Sequence, residues 1–358
     1  MNFLTFLCHE PSLCIFGSMC IASRGDAMVG SESLRRRTVK LVLVGVPVEV
    51  GANVAGSRLG PSALRRIGLS RMLGRLGCDV VDRGDLAPVV VRQPDAGPEE
   101  GGAHKASEAA RWISSLSEAA YELARAGHVP VFLGGDHSLS MGTVDGIARA
   151  CAERGRELFV LWLDAHPDFN TPAISPTGNF HGMALAYLCG EAGFETVLGG
   201  KAPRTIDPRN VYLFGTRSID PDEGELLRRR GVNMIDMRMV RQRGIRAAMR
   251  PILETVAKRD GVLHLSLDAD VLDPSFVPGV NVPERGGLTY AEAHVIMELL
   301  NEYDLIVSAD ITELNPLIDV DGRSTRAVVG LASCLFDQKT RGRHDHSRTE
   351  DRHGQHTA

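Results

Sequence analysis

Three short stretches carry acidic and imidazole side chains at spacings suited to divalent cations: Gly134-Gly135-Asp136-His137-Ser138, Asp164-Ala165-His166-Pro167-Asp168 and Asp268-Ala269-Asp270. Side chains two apart on an extended chain point the same way. Asp164, His166 and Asp168 therefore face one point, as do Asp268 and Asp270. With His137, up to four carboxylates and two imidazoles would meet. Carboxylates packed together without a cation repel, and some must hold protons; two divalent ions resolve this. The donors are oxygen and imidazole nitrogen, with no thiolate, which favours Mn²⁺ over Co²⁺, Zn²⁺ or Fe²⁺. Taken singly, an Asp-x-Asp or a Gly-Gly-Asp-His is more often a turn. Three such clusters in this order, each after a predicted strand, argue for a metal centre.

The elements that must position them are readable. Short apolar, β-branched runs predict strands at Leu41–Val46, Asp79–Asp82, Val129–Leu133, Phe159–Leu163, Val211–Phe214, Asn233–Ile235, Leu263–Leu267 and Ile306–Ala309. Most are continuous apolar runs, as in strands buried on both faces. Helices are predicted over Pro61–Leu76, Lys105–Ala126, Ser138–Arg154 and Tyr290–Asn301, the last opening on Thr289 with Glu292 as a capping partner. This alternation implies one α/β domain over residues 39–336: a mostly parallel eight-stranded sheet with helices on both faces. All three clusters then fall at the carboxyl edge of the sheet, where such folds bind ligands. The long loops Gly51–Gly60, Asn170–Gly182 and Asp273–Gly287 are expected to be functional.

The 358 residues, 43% hydrophobic and 24% charged with net charge −5, are those of an ordinary soluble protein. Nucleic-acid and membrane binding are not expected. Seven cysteines without a Cys-x-x-Cys pattern, among them Cys8, Cys14 and Cys20, favour a reducing, cytoplasmic compartment. Residues 1–38 read as an extension outside the core. Residues 337–358, rich in Arg, His and Asp, read as a disordered tail.

On the stretches Gly134–Ser138, Asp164–Asn170 and Ser266–Pro274, the chain resembles the ureohydrolase family from about Val39 to Phe336. Asn170-Thr171-Pro172, Thr177–Gly182, Val44–Pro47 and Gly60–Arg65 look like its arginase branch. The resemblance implies a three-layer α/β/α fold and a dinuclear manganese hydrolase, with two ions per chain. Its substrate would be L-arginine, split to L-ornithine and urea by a metal-bridging hydroxide. His137 and Asp168 would hold one ion, His166 and Asp270 the other, with Asp164 and Asp268 bridging. His181 resembles a loop histidine that shuttles the proton to the leaving amine, and Glu313 a carboxylate that grips the guanidinium.

By the same resemblance Asn170, Thr177 and Asn179 would bind the α-carboxylate and Asp220 the α-amino group, with Glu223 assisting through water. Singly, each polar loop residue is more often turn chemistry. A homo-oligomer, trimer or hexamer, and a place in arginine metabolism and the urea cycle are implied too. The match departs at Val282, where a threonine is common, and at Ser218, where aspartate is. Other readings are an agmatinase or guanidino-acid hydrolase, which the carboxylate-binding loop argues against in the case of agmatine, and an inactive homologue with a binding role.

Overall fold

Alternating side chains explain how one sheet comes to be buried on both faces. In β1 (Lys40–Val46), Leu41 and Leu43 enter one apolar cluster, while Val42, Val44 and Val46 enter another. In β4 (Leu158–Leu163), Phe159, Leu161 and Leu163 join the first cluster and Leu158, Val160 and Trp162 the second. A strand that is apolar on both faces must be covered on both. The helices Gly60–Ile67, Leu69–Arg75, Ile245–Lys258, Tyr290–Tyr303 and Arg323–Leu335 cover the first cluster. Ala106–Arg125, Ser140–Glu153, Ala184–Leu188 and Pro221–Arg230 cover the second. The result is the expected three-layer arrangement.

The structure is a computed structural model that describes residues 40–88, 105–199, 203 and 205–338. The expected extension at 1–38, with Cys8, Cys14 and Cys20, and the tail from residue 339 onward lie outside the described residues. The remaining strands are β2 (Asp79–Asp85), β3 (Val129–Gly134), β5 (Val211–Phe214), β6 (Asn233–Ile235), β7 (Val262–Asp268) and β8 (Ile306–Thr312). Their order is β2-β1-β3-β8-β7-β4-β5-β6. Every pairing is parallel, so the expected "mostly parallel" sheet is wholly so among the described residues.

Two predicted helices are modified locally. Pro61–Leu76 is two helices, broken at Gly68, whose φ of 97° is open to glycine but costly for other residues. Ser138–Arg154 begins as a 3-10 turn, His137–Leu139, before the α-helix Ser140–Glu153. Thr289 caps its helix as predicted: its hydroxyl accepts from Glu292 N at 3.2 Å, and Glu292 Oε2 accepts from Thr289 N at 2.8 Å. Among the described residues no helix is long and apolar enough to cross a membrane. Among the described residues, Cys78, Cys151, Cys189 and Cys334 form no disulfide.

Candidate metal centre and substrate pocket

The carboxyl ends of β3, β4, β7 and β8 deliver the reactive groups, and short turns aim them. After β3, Gly135 passes so close to Val48 that a Cβ would lie 1.7 Å from its carbonyl oxygen, so a side chain has no room there. Asp136 then pins the turn: its carboxylate accepts from Ser138 N at 3.0 Å and from Gly51 N at 2.7 Å. This sets His137 facing the sheet edge.

After β4, Asp164 Oδ1 accepts from His166 N at 2.7 Å, and Asp168 takes a left-handed φ of 50°. After β7, Asp268 Oδ1 accepts from Asp270 N at 2.8 Å, capping the 3-10 turn Ala269–Val271. The expected convergence is therefore real, but side-chain-capped turns produce it, rather than strand alternation.

The two imidazoles mark two adjacent sites. His137 Nδ1 lies 3.1 Å from Asp164 Oδ2, 3.0 Å from Asp168 Oδ2 and 2.9 Å from Asp268 Oδ2. His166 Nδ1 lies 3.4 Å from Asp164 Oδ1 and 3.1 Å from Asp270 Oδ2. Asp164 thus gives one oxygen to each site. His137–Asp164–Asp268 and Asp164–His166–Asp270 each gather ligand atoms within 4.8 Å of one another. Asp168 completes the first group.

The electrostatics fit a pair of cations. His137 Nδ1 is buried and has no hydrogen-bond partner, although three carboxylate oxygens lie within 3.1 Å of it. Donors that converge on a point without bonding one another are arranged as ligands of an ion. His137 Nε2 lies 2.7 Å from Ser266 Oγ, which can take the Nε2 proton and leave the Nδ1 lone pair for a metal.

Burial, then repulsion from Asp270 and Asp164, drives the Asp268 carboxyl well above its usual range. Burial and the Asp164 charge push Asp168 up to about 6. Burial opposes charge on His166, but Asp270 and Asp164 outweigh it and push its pKa up to about 12. Without cations the cluster holds protons; oxygen and nitrogen donors of this kind suit two divalent ions such as Mn²⁺.

A cavity of about 280 Å³ opens beside this cluster and is lined by Asp168, Asn170, Thr177, Asn179, His181, Asp220, Glu223 and Glu313. Every substrate-site residue expected from sequence is therefore brought together. Glu313, with a left-handed φ of 60°, accepts from His137 N at 2.8 Å through Oε1, 3.1 Å from His181 Nδ1. Burial works against the His181 charge, yet Glu313 overcomes it and holds the imidazole pKa up at about 9.

Asp220 and Glu223 form a capping box on the helix Pro221–Arg230, and Glu223 Oε1 also accepts from Phe169 N at 2.8 Å. Burial, with repulsion from Asp168, pushes Glu223 up to about 8. Asn170 Nδ2 donates to Asp220 Oδ2 at 2.9 Å, and its own Oδ1 is buried without a partner. Ser218 and Val282, the two departures, also line the cavity.

Sequence reasoning missed several residues. Trp162 stacks on His137 and donates to Asp164 Oδ2 at 3.0 Å. In sequence it reads as core, and its position two before Asp164 was the available signal. Asn281 donates to Glu313 Oε2 at 3.1 Å. The Arg217 guanidinium donates to the carbonyls of Gly215, Asp270, Val271, Leu272 and Glu284, binding the strand ends beneath Asp270. Nothing in their spacing points to these last two.

The comparisons agree with this geometry. The arginase family model matches residues 39–337. The arginase of Agrobacterium fabrum is 43% identical over 297 residues, 83% of this chain and 90% of that protein. The arginase of Bacillus caldovelox, in its native structure at pH 5.6, superposes with a TM-score of 0.76 at 36% identity, covering 84% of this chain and 99% of that one. The Entamoeba histolytica arginase, solved in complex with L-ornithine, gives 0.73 at 26% identity, covering 83% and 98%. With its wholly parallel eight-stranded sheet, paired histidine–carboxylate sites and this likeness along nearly the whole described core, the chain belongs to the arginase family.

Proposed function

We propose that the chain hydrolyses L-arginine to L-ornithine and urea at a dinuclear manganese centre. The observation that carries this reading is Asp164, whose two oxygens each face a different imidazole beside a cavity that Glu313 lines. His137, Asp164, Asp168 and Asp268 would hold one ion; Asp164, His166, Asp268 and Asp270 the other. Two bound divalent ions would supply Lewis acidity and bring the pKa of a shared water towards neutrality.

The chain's own residues do the rest. Glu313 is buried and accepts, so a planar guanidinium cation is its natural partner. His181, held protonated by Glu313, can give its proton to the departing amine. Asn170, Thr177 and Asn179 border the cavity where an α-carboxylate would lie, and Asp220 where an α-ammonium would. Supporting relatives are themselves arginases, one of them in complex with the amino acid that this reaction would release.

The test is metal analysis of purified protein together with a urea assay on arginine, agmatine and guanidinobutyrate. About two manganese ions per chain and strong preference for arginine are expected. Equal turnover of agmatine would move the reading to another branch of the ureohydrolases. The reading also carries a homo-oligomeric, cytoplasmic protein, with the assembly checked by sedimentation.

A further inference from the structure

Glu313 is held at three points, and the third is unusual. Its backbone sits at φ 60°, where few residues other than glycine rest comfortably, so the side chain is launched from a fixed base. Oε1 accepts from His137 N at 2.8 Å and lies 3.1 Å from His181 Nδ1. Two donors on one oxygen fix that oxygen but let the carboxylate pivot about it. The pivot is stopped by Asn281, whose Nδ2 donates to Oε2 at 3.1 Å.

Asn281 is itself locked. Its Oδ1 accepts from Asn315 Nδ2 at 2.7 Å, and Asn315 Nδ2 also donates to Ala55 O at 2.9 Å. Asn315 Oδ1 accepts from Leu317 N at 3.0 Å. The amide orientation has one solution. A carboxylate only accepts, so the NH₂ of Asn281 must face Glu313, and the oxygen is left for the NH₂ of Asn315. The neighbouring backbone makes room for this chain: a Cβ on Gly56, at φ 130°, would lie 2.0 Å from Asn315 Oδ1. Loops from three parts of the sequence thus meet behind one carboxylate.

We infer that Asn281 is the positioning residue that sets the plane of the Glu313 carboxylate for guanidinium recognition. Each carboxylate oxygen has two acceptor positions. Three of the four are engaged by His137, His181 and Asn281, and the last, on Oε2, is kept for a substrate N–H. With one position left, a guanidinium donates a single N–H to Oε2, along a direction that the Asn281 bond fixes. Asn281 therefore separates recognition of the guanidinium end of a substrate from recognition of its amino-acid end. The inference rests on the proposed role of Glu313 as the guanidinium partner.

The experiment uses the full-length, manganese-loaded protein with Asn281→Asp and Asn281→Ala. Asn281→Asp keeps the shape and the acceptor for Asn315 but replaces the donor to Glu313 by a like charge; Asn281→Ala removes both. Arginine KM, kcat, and the inhibition constant of ornithine, which has no guanidinium, are measured with metal content and melting temperature. The expected result is a rise of about tenfold or more in arginine KM in both variants, with ornithine inhibition and metal content unchanged. Arginine and ornithine constants moving together, or neither moving, would overturn the inference and make Asn281 a loop-packing residue. A wild-type protein that binds ornithine but releases no urea from arginine would overturn the role of Glu313, and this inference with it.

Discussion

The indole of Trp162 lies parallel to the His137 imidazole, with ring centroids 4.1 Å apart and an interplanar angle of 5°. The same indole donates to Asp164 Oδ2 at 3.0 Å. One buried core residue thus supports a ligand of the first site and the carboxylate shared by both. Trp162→Phe keeps an aromatic face for the stack, drops the hydrogen bond and leaves a small cavity where the second ring lay. Groups that orient metal ligands typically matter about 10- to 100-fold in metal affinity. We expect a loss of that order on titration of chelated Trp162→Phe with manganese, with a nearly unchanged circular dichroism spectrum. Unchanged affinity would mean that the indole serves the core alone.

Asp164 and Asp168 make unequal demands. Asp164 reaches both imidazoles, whereas Asp168 reaches only His137. Asp164→Ala is therefore expected to empty both sites, and Asp168→Ala to leave up to one ion per chain. Metal counting by plasma emission on the two purified variants distinguishes these outcomes. Equal stoichiometries would contradict the shared-carboxylate arrangement.

The His181–Glu313 pair predicts a pH-dependent stability in chelated protein. His181 sits at about 9 in the folded chain, above its ordinary value of 6.5. A base raised by folding stabilises fully below the ordinary value, and the contribution fades as pH rises through the folded one. The melting temperature of wild type, relative to His181→Asn, should therefore fall between about pH 6.5 and pH 9. A constant difference across that range would show that the pair does not remain charged in the fold.

Specificity should lie with the amino-acid end of the cavity. Groups aimed at an α-carboxylate are left unpaired by agmatine, which lacks it, and the loss should be about a thousandfold in kcat/KM. Asn179→Ala should erode arginine turnover while manganese content stays at the wild-type level. Val282→Thr is expected to lower the arginine KM if a hydroxyl at that cavity wall aids amino-group binding. A wild-type protein indifferent to the carboxylate would sink the arginine assignment but leave the metal centre standing.

Much of this is legible in the sequence. All eight predicted strands are present, and the central ones were the plainest, because strands buried on both faces leave an unbroken hydrophobic trace, which the edge strand β2 does not. The convergence of His137, His166 and the four aspartates was legible because His and Asp rarely cluster at strand ends without cause. The route was less legible: Asp168 converges with Asp164 through a left-handed residue and capped turns, not through pleating. Trp162 was hidden because an indole in an apolar strand looks like packing, which it also is. Asn281, Asn315 and Ala55 meet only in three dimensions, across loops whose lengths carry no register.

The strand order has a consequence for how the chain matures. β3, β8, β7 and β4 lie side by side at the middle of the sheet, yet His137 and Glu313 are 176 positions apart in the chain. A growing polypeptide therefore lacks the full set of candidate metal ligands until β7 has docked, and lacks Glu313 beside them until β8 has slid between β3 and β7. An ion that binds only the finished arrangement favours that arrangement by mass action. Manganese would then act as a latch on the last and most central pairing. Its removal should speed amide exchange in β7 and β8 well before it reaches the edge strands β2 and β6.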